Sequence, residues 1–334
     1  MATTLQTTFA GLSLRNPIIV SSSGLTDSAA KNQKLCEAGA GAIVLKSLFE
    51  EQIMMEVYQH DDPSMSPEAA DKLSVYILHH KLGEYLNLIR ESKKVCDIPV
   101  IASINCYKDD VWADFAKQIE EAGADALEIN ILALQTDVQY TYGSFEQRHI
   151  DILRHIKKTV KIPVIMKLGS NLTNPVALID QLYANGAAAV VLFNRFYQPD
   201  INIDKMTQVA GDVFSNEADL SNSLRWTGIA SAAVNKIDYA ISGGIHSAEG
   251  IVKSILAGAS AVEICSVLYK ESSAVINEYN KFVADWMANK GMESIAQFKG
   301  KLNVGDVKGV NTFERTQFLK YFAQIGRASC RERV

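Results

Sequence analysis

The sequence repeats one short phrase four times. A glycine, an alanine, a variable residue and a second alanine precede an apolar run at Gly39, Gly123, Gly186 and Gly258. Helix-like segments such as DFAKQIEEA come immediately before the phrase. Glycine at the end of a helix adopts the left-handed cap, and alanines allow close packing of a helix on a strand. The repeat therefore predicts a chain in which helices and strands alternate.

Four more apolar runs complete the set of strands. Ile98-Pro-Val and Ile162-Pro-Val each open a strand, where proline is tolerated as the first residue. PIIVSSSG and YAISGG supply the other two. All eight runs are continuously apolar, as parallel strands covered on both faces are. The predicted strands are 17–24, 42–47, 99–105, 126–132, 163–168, 189–194, 239–244 and 261–266.

Helical segments separate the strands. They are predicted around 79–95, 110–122, 147–159, 174–186, 247–257 and 271–289. Eight βα units in 334 residues predict a single (β/α)8 TIM barrel over residues 1–325. A doubly wound open sheet is the alternative, but it needs no eighth strand and usually has an early glycine-rich turn. Residues 326–334 are charged and aperiodic, which is typical of a disordered tail or a cloning remnant.

Long connections are predicted after the second, fourth and sixth strands. They span 48–78, 133–146 and 195–222. All three lie on the carboxyl side of strands, where barrel active sites are built. We therefore interpret them as parts of a site and not as separate domains.

Composition narrows the possible partners. A net charge of −5 argues against nucleic acid as the main partner. The sequence has no apolar run of about 18 residues, and its first residues lack the features of a signal peptide. The five cysteines are scattered without a CxxC pair, which favours reduced thiols over disulfides or a metal site. We expect a cytoplasmic protein without a membrane span or a metal, acting on a small molecule.

Polar residues are concentrated at the predicted carboxyl ends of the strands, where barrel active sites lie. A single lysine or asparagine there is usually a solvated or capping residue. Two lysines and three asparagines at one barrel mouth instead favour a binding site. The strand ends are Ser22-Ser23-Gly24, Lys46-Ser47, Asn105-Cys106, Asn130, Lys167, Asn194, Gly243-Gly244 and Cys265-Ser266.

The ends of the seventh and eighth strands predict a phosphate corner, defined by Gly243, Gly244, Cys265 and Ser266. The two glycines allow close approach of a ligand to the backbone, and the helix that follows has an N-terminus that attracts anions. Lys167, opposite, would place a positive charge beside a ring that becomes electron-rich, as a reduced flavin does.

With these residues in place, the sequence resembles the class 1 dihydroorotate dehydrogenases. These are FMN-dependent TIM barrels that oxidise dihydroorotate to orotate in pyrimidine biosynthesis. The resemblance covers roughly residues 5–305 and has no counterpart of the membrane-associating N-terminal extension of the class 2 enzymes. The motifs, in order, are NPIIVSSSG, AGAGAIVLKS, ALEIN, PVIMK, VVLFN, ISGGI, AVEICSVLYKESSAVI and KGMESIAQFKGKL.

The resemblance implies the site residues and a homodimer. Lys46 and Lys167 are the catalytic candidates, and Lys46, Asn130 and Asn194 match positions that hold the substrate. The positions that match FMN contacts are Ser22, Ser23, Lys46, Ser47, Asn130, Lys167, Gly243, Gly244, Cys265 and Ser266. An electron acceptor of this class is either fumarate or a partner subunit with iron–sulfur and FAD centres.

Three departures from the family concern the substrate. The family's Asn-Leu-Ser-Cys-Pro-Asn carries the cysteine that removes a proton, and Ala133 stands at that position. Residues 50–72 contain no counterpart of the family's Asn-Ser-Met-Gly-Leu-Pro-Asn loop, and Arg195 replaces a serine. Alanine cannot accept a proton, so the usual base is missing.

Four hypotheses follow from the missing base. Dihydroorotate could remain the substrate with Cys106, Tyr140 or Tyr142 as the base. A different substrate, recognised by Arg195 or the loop after strand two, is chemically slightly favoured. A lyase or isomerase of a phosphorylated sugar could form a Schiff base on Lys167 or Lys46, although it gives Asn130 and Asn194 no role. The last hypothesis is a flavin-binding protein without turnover.

Overall fold

The computed structural model describes residues 3–49, 67–105 and 112–305. The predicted tail, 326–334, lies outside these ranges. The strands are β1 (Thr7–Phe9), β2 (Leu12–Leu14), β3 (Ile18–Val20), β4 (Ala42–Val44), β5 (Leu48–Phe49), β6 (Val100–Asn105), β7 (Ala126–Asn130), β8 (Val164–Gly169), β9 (Ala189–Asn194), β10 (Pro199–Asn202), β11 (Thr207–Ala210), β12 (Asp238–Ser242) and β13 (Ala261–Ile264). The helices are α1 (Ala29–Glu37), α2 (Pro67–Val95), α3 (Trp112–Glu121), α4 (Ser144–Lys157), α5 (Pro175–Ala184), α6 (Leu220–Ala233), α7 (Ala248–Ala257), α8 (Ser266–Lys270) and α9 (Val275–Asn289).

Eight parallel strands form a closed ring in the order β3, β4, β6, β7, β8, β9, β12 and β13. The ring closes where β13 pairs with β3, with Val262 opposite Ile18. This closure confirms the predicted (β/α)8 barrel. The open-sheet alternative is wrong, because an open sheet has two unpaired edges and this ring has none.

The repeated glycines take the conformation that the sequence predicts. Gly39, Gly123, Gly186 and Gly258 have φ values of 94°, 98°, 93° and 120°, and they follow α1, α3, α5 and α7. A barrel strand begins three residues after each of them. At Gly258 an added Cβ would lie 2.2 Å from Ser231 Oγ, so close packing of neighbouring helices also requires glycine there.

The structure corrects the long connections. Helix α2 begins at Pro67, so the predicted connection 48–78 contains its first turns. The predicted connection 195–222 contains the β10–β11 hairpin and the start of α6. Helix α6 was not among the predicted segments, and α1 was predicted only as the helix-like segment that precedes Gly39. Polar residues dominate α1, and small residues dominate α6, so neither has a strong apolar period.

Inside the barrel, an apolar layer lies under a polar layer. Ile101, Ala126, Ile165 and Ala261 belong to an apolar cluster that the β1–β2 hairpin covers with Phe9 and Leu14. Two residues further along the strands, side chains point to the same face again. Those positions carry Ser103, Glu128, Lys167 and Glu263, all buried. The polar layer is the floor of the barrel mouth.

Among the described helices, none is long and apolar enough to cross a membrane.

Candidate active site

A cavity at the carboxyl ends of the strands, here called the mouth cavity, brings together most of the predicted site. Its lining includes Ser22, Lys167, Asn194, Gly243, Gly244, Cys265 and Ser266. Ser47 and Asn130 do not line it, but each is hydrogen-bonded to a residue that does. Ser23 precedes the bend at Gly24 and lies within hydrogen-bonding reach of Cys265. The strand ends therefore converge as the sequence predicts.

The phosphate corner has an unusual backbone. Gly243 and Gly244 are both at positive φ, 88° and 75°. A Cβ on Gly244 would lie 2.2 Å from the backbone nitrogen of Leu220, so only glycine fits there. Helix α7 begins four residues later, with its N-terminal end on the same side of the barrel.

Ser215 anchors this corner and was missed by the sequence reasoning. Its N–H donates to Ser266 Oγ at 3.1 Å, and its hydroxyl lies 2.9 Å from His246 Nε2. Lys270 Nζ donates to the Ser215 carbonyl at 3.0 Å. Burial and the charge of Lys270 lower the pKa of His246, so its imidazole is neutral at neutral pH. No sequence motif marks Ser215, because it belongs to the irregular chain after the hairpin.

A chain of hydroxyl groups joins the first three barrel strands. Ser22 Oγ lies 2.9 Å from Ser47 Oγ, which lies 2.7 Å from Ser103 Oγ. Tyr85 on α2 donates to the Ser103 carbonyl at 2.9 Å and accepts from the Ser103 N–H at 2.6 Å. The chain fixes the position of Ser22 at the cavity wall.

Lys167 is held by a buried carboxyl pair, Glu128 and Glu263. Its Nζ lies 2.5 Å from Glu263 Oε2, 3.3 Å from Glu128 Oε1 and 3.0 Å from Ser21 Oγ. Ser21 also donates to Glu263 Oε2 at 2.8 Å. All these side chains are buried. The lysine is therefore positioned from several strands at once.

The pKa values of the two carboxyl groups are shifted in opposite directions. Burial, then the charge of Glu263, raises the pKa of Glu128 well above its usual range. Burial also acts to raise the pKa of Glu263, but the charge of Lys167 and hydrogen bonds from its neighbours lower it. Burial acts to lower the pKa of Lys167, but the charges and hydrogen bonds of Glu128 and Glu263 have the larger effect and raise it. Lys167 is thus an ammonium ion, which argues against a Schiff base on this residue.

Asn130 and Asn194 form a second pair. Asn194 Nδ2 donates to Asn130 Oδ1 at 2.9 Å, and the N–H of Arg195 donates to Asn194 Oδ1 at 2.8 Å. Asn130 Nδ2 has no partner within the described ranges, so it can donate to a ligand. The side chain of Arg195 is occupied by the protein itself, donating to the carbonyls of Val213 and Asp212. Arg195 also lines the mouth cavity, and its hypothesised role in substrate recognition stays a prediction.

Lys46 follows β4 and is half-buried. Its N–H donates to the Thr26 carbonyl at 3.2 Å. Its ammonium has no ion pair or hydrogen bond with any residue that the structure describes. Its predicted catalytic, flavin-binding and substrate-binding roles stay predictions.

The two candidate tyrosine bases do not lie at the mouth cavity. Tyr140 and Tyr142 line a different groove, beside α4 and α5. Tyr142 is 95% exposed, and the Tyr140 hydroxyl lies 3.5 Å from Glu146 Oε2. Cys106 lies outside the described residues. Past the end of β7 the Ala133 carbonyl accepts a hydrogen bond from Asn171 Nδ2 at 3.0 Å.

The closed ring and the polar floor at one end define a (β/α)8-barrel enzyme with its site at the carboxyl ends of the strands. A family model for dihydroorotate dehydrogenase matches residues 4–287, and the chain belongs to that family of oxidoreductases.

Relatives agree with this assignment. The chain is 27% identical over 304 residues to the catalytic subunit of dihydroorotate dehydrogenase B (NAD(+)) from Thermoplasma volcanium, covering 89% of this chain and 97% of that protein. It is 26% identical over 274 residues to the corresponding subunit from Methanocaldococcus jannaschii, covering 79% and 87%. It is also 22% identical over 319 residues to the NAD-dependent dihydropyrimidine dehydrogenase subunit PreA of Escherichia coli, covering 90% and 77%.

Proposed function

We propose that the protein is an FMN-dependent oxidoreductase that acts on the CH–CH bond of a dihydropyrimidine. Dihydroorotate is the first candidate, which would give the protein a role in pyrimidine biosynthesis. One observation carries the proposal: the Lys167 ammonium and the phosphate corner line the same cavity. A phosphate at the corner and an electron-accepting ring beside the lysine would occupy that cavity together.

The residues present fit FMN. Gly243 and Gly244 expose backbone where a phosphate would be bound, and Ser266 adds a hydroxyl. Lys167 would supply a fixed positive charge to the ring, and Ser22, also in the cavity lining, would add a hydroxyl. The bound flavin supplies a two-electron acceptor. The protein's own contribution is to hold and orient both ligands and to exclude water.

The asparagine pair suits the substrate. The ring of a dihydropyrimidine carries neighbouring carbonyl and N–H groups, and Asn130 and Asn194 present amide groups at the strand ends. Because the two asparagines are hydrogen-bonded to each other, their amide groups are held in one orientation. A ring placed against them would have its reacting carbons fixed relative to the flavin.

Because the family's proton-removing cysteine is missing, a second substrate has to be considered beside dihydroorotate. Removing a positioned base typically costs about two to four orders of magnitude in rate. A neutral dihydropyrimidine is the second candidate substrate, and one observation favours it. Arg195 is occupied by backbone carbonyls. Lys46 therefore remains the candidate cation for the carboxylate that distinguishes dihydroorotate.

Purified protein tests the proposal directly. We expect a yellow protein that releases FMN on denaturation and bleaches when mixed anaerobically with dihydroorotate or dihydrouracil. Lys46→Met should abolish bleaching by dihydroorotate and spare bleaching by dihydrouracil if Lys46 binds the carboxylate. Protein that neither contains nor binds FMN would refute the proposal. Covalent trapping of a sugar phosphate on Lys46 by borohydride would support the lyase hypothesis instead.

We further propose a cytoplasmic homodimer. The β10–β11 hairpin supports it by exposing Ile201, Ile203 and Met206. The relatives that are named as catalytic subunits of NAD(+) enzymes support a partner subunit as the electron acceptor. Light scattering on the purified chain, with Ile203→Ser and Met206→Ser as comparison variants, tests the dimer.

A further inference from the structure

The floor of the mouth cavity contains more acidic than basic groups. Glu128 and Glu263 are 1% and 2% exposed, and Lys167 between them is 5% exposed. If both carboxyl groups were ionised, the cluster would have one negative charge without a counter-ion. An uncompensated charge is strongly unfavourable in an interior from which water is excluded. A single proton shared by the carboxyl pair removes this excess.

The oxygen atoms of the pair show where protons can be bound. Glu128 Oε2 and Glu263 Oε1 are buried and have no hydrogen-bond partner in the described structure. The two carboxyl groups nevertheless lie within hydrogen-bonding reach of each other. Two carboxyl groups within reach of each other can form a hydrogen bond only when a proton lies on one of them. The geometry therefore calls for one bound proton and leaves room for a second.

Apart from Lys167, the described groups that face the pair from other elements are neutral. Ser21, after β3, contributes a hydroxyl. Burial raises the pKa of Tyr85, on α2, and that of Cys265, after β13, so both keep their protons at neutral pH. Lys167 is the one cation that acts on both members of the pair among the described residues. The lysine and the two glutamates thus form a neutral unit while one proton is bound.

We propose that Glu128 and Glu263 share a proton in the resting protein and take up a second one when the flavin is reduced. This inference rests on the proposed function. Hydride transfer to a bound flavin would bring two electrons and one proton to the ring and add one negative charge, which Lys167 would balance. A proton from solvent then binds Glu263, which lines the cavity, so that the lysine charge is free to balance the ring. Two electrons and two protons are taken up in total.

Infrared spectroscopy reports both steps, because a protonated carboxyl group has a carbonyl stretch distinct from that of a carboxylate. The flavin-free protein at neutral pH is expected to show one such band. Glu128→Gln and Glu263→Gln should each remove it, since the remaining carboxylate becomes the counter-ion of Lys167. In the FMN-loaded protein, reduction by a chemical reductant should double the band of the unmodified chain.

Ser21→Ala is the matched control, because it removes a neutral neighbour of both Lys167 and Glu263 and leaves the charges unchanged. It should keep the band. A resting protein without the band overturns the shared proton. A band that stays constant on reduction overturns the uptake. Failure to bind FMN overturns the proposed function and the uptake step with it, while the flavin-free spectrum still decides whether the pair shares a proton.

Discussion

Asn194 donates its Nδ2 hydrogen to Asn130 Oδ1 across 2.9 Å, and the bond spans the end of β8, the strand that carries Lys167. The two amides and the ammonium therefore lie at three consecutive strands of the barrel. A change in one asparagine releases the other, so they are expected to act as a single element of the site.

The first prediction concerns this pair. Asn194→Ala removes one hydrogen bond and frees the amide of Asn130, which should weaken substrate binding roughly tenfold and raise KM more than it lowers kcat. Anaerobic titration of the flavin spectrum with substrate measures the affinity. Asn174→Ala, which removes the cap of α5, is the control and should lower stability without affecting binding. Equal affinities of the two variants for substrate would contradict the prediction.

The second prediction concerns the missing base. Ala133→Cys restores a thiol where the family has its proton-removing cysteine. If dihydroorotate is the substrate, flavin reduction should accelerate by about two to four orders of magnitude. Stopped-flow absorbance across a pH series gives the rate. Ala133→Val, which adds volume without an acid–base group, should give no acceleration. A cysteine variant as slow as the unmodified protein at every pH would contradict the prediction that the missing thiol limits the rate.

The third prediction concerns the phosphate corner. Gly244→Ala places a Cβ against the Leu220 backbone at positive φ, so it should weaken FMN binding and lower the melting temperature. Gly123→Ala has the same left-handed strain, but its Cβ would meet no atom within 4 Å. It should cost about 1 kcal/mol and leave FMN affinity unchanged. Fluorescence titration with FMN measures the affinity of both variants. Equal affinities would contradict a role of the phosphate corner in FMN binding.

The fourth prediction is a pH dependence of stability. Because the pKa of Glu128 is raised in the folded protein, the native state binds more protons than the unfolded state above the usual carboxyl pKa. Its contribution to stability therefore falls as pH rises, by up to roughly 1.4 kcal/mol per pH unit. Urea unfolding gives the free energy of unfolding of the unmodified protein and of Glu128→Gln at each pH. The difference between the two free energies should change with pH by up to this amount per pH unit. If the free energies of unfolding of the two proteins change with pH in parallel, the raised pKa of Glu128 is contradicted.

Glu263 has the opposite sign. Its pKa is lowered, so its contribution is present above the usual carboxyl pKa and is lost as pH falls through the folded value. The same urea series on Glu263→Gln should therefore differ from the unmodified protein mainly at acidic pH. This difference separates the two members of the pair.

The sequence predicted the barrel because its signals are local. Glycine at Gly39 or Gly258 ends a helix, and a continuous apolar run marks a buried strand. The strand ends predicted Asn130, Asn194 and Lys167 for the same reason. Helix α6 escaped prediction because its stability comes from packing of small residues against α7 and β12, which the sequence does not show locally.

The carboxyl pair was beyond sequence reasoning for a different reason. A glutamate inside ALEIN or AVEIC is visible as a charged residue in an apolar strand, which is a signal of a buried partner. Its partner depends on the stagger of three strands, β7, β8 and β13. That stagger is fixed only when the ring closes, so the cluster with Lys167 could be recognised only in the structure.

The β1–β2 hairpin has a consequence for exchange with solvent. Phe9 and Leu14 fill the end of the barrel opposite the site, so within the described part of the chain cofactor, substrate and protons would all enter from the carboxyl ends of the strands. A flavin seated there would stand between the buried carboxyl groups and bulk water. The time for which a proton resides on Glu128 or Glu263 would then be set by occupancy of the entrance and not by the acidity of the medium alone.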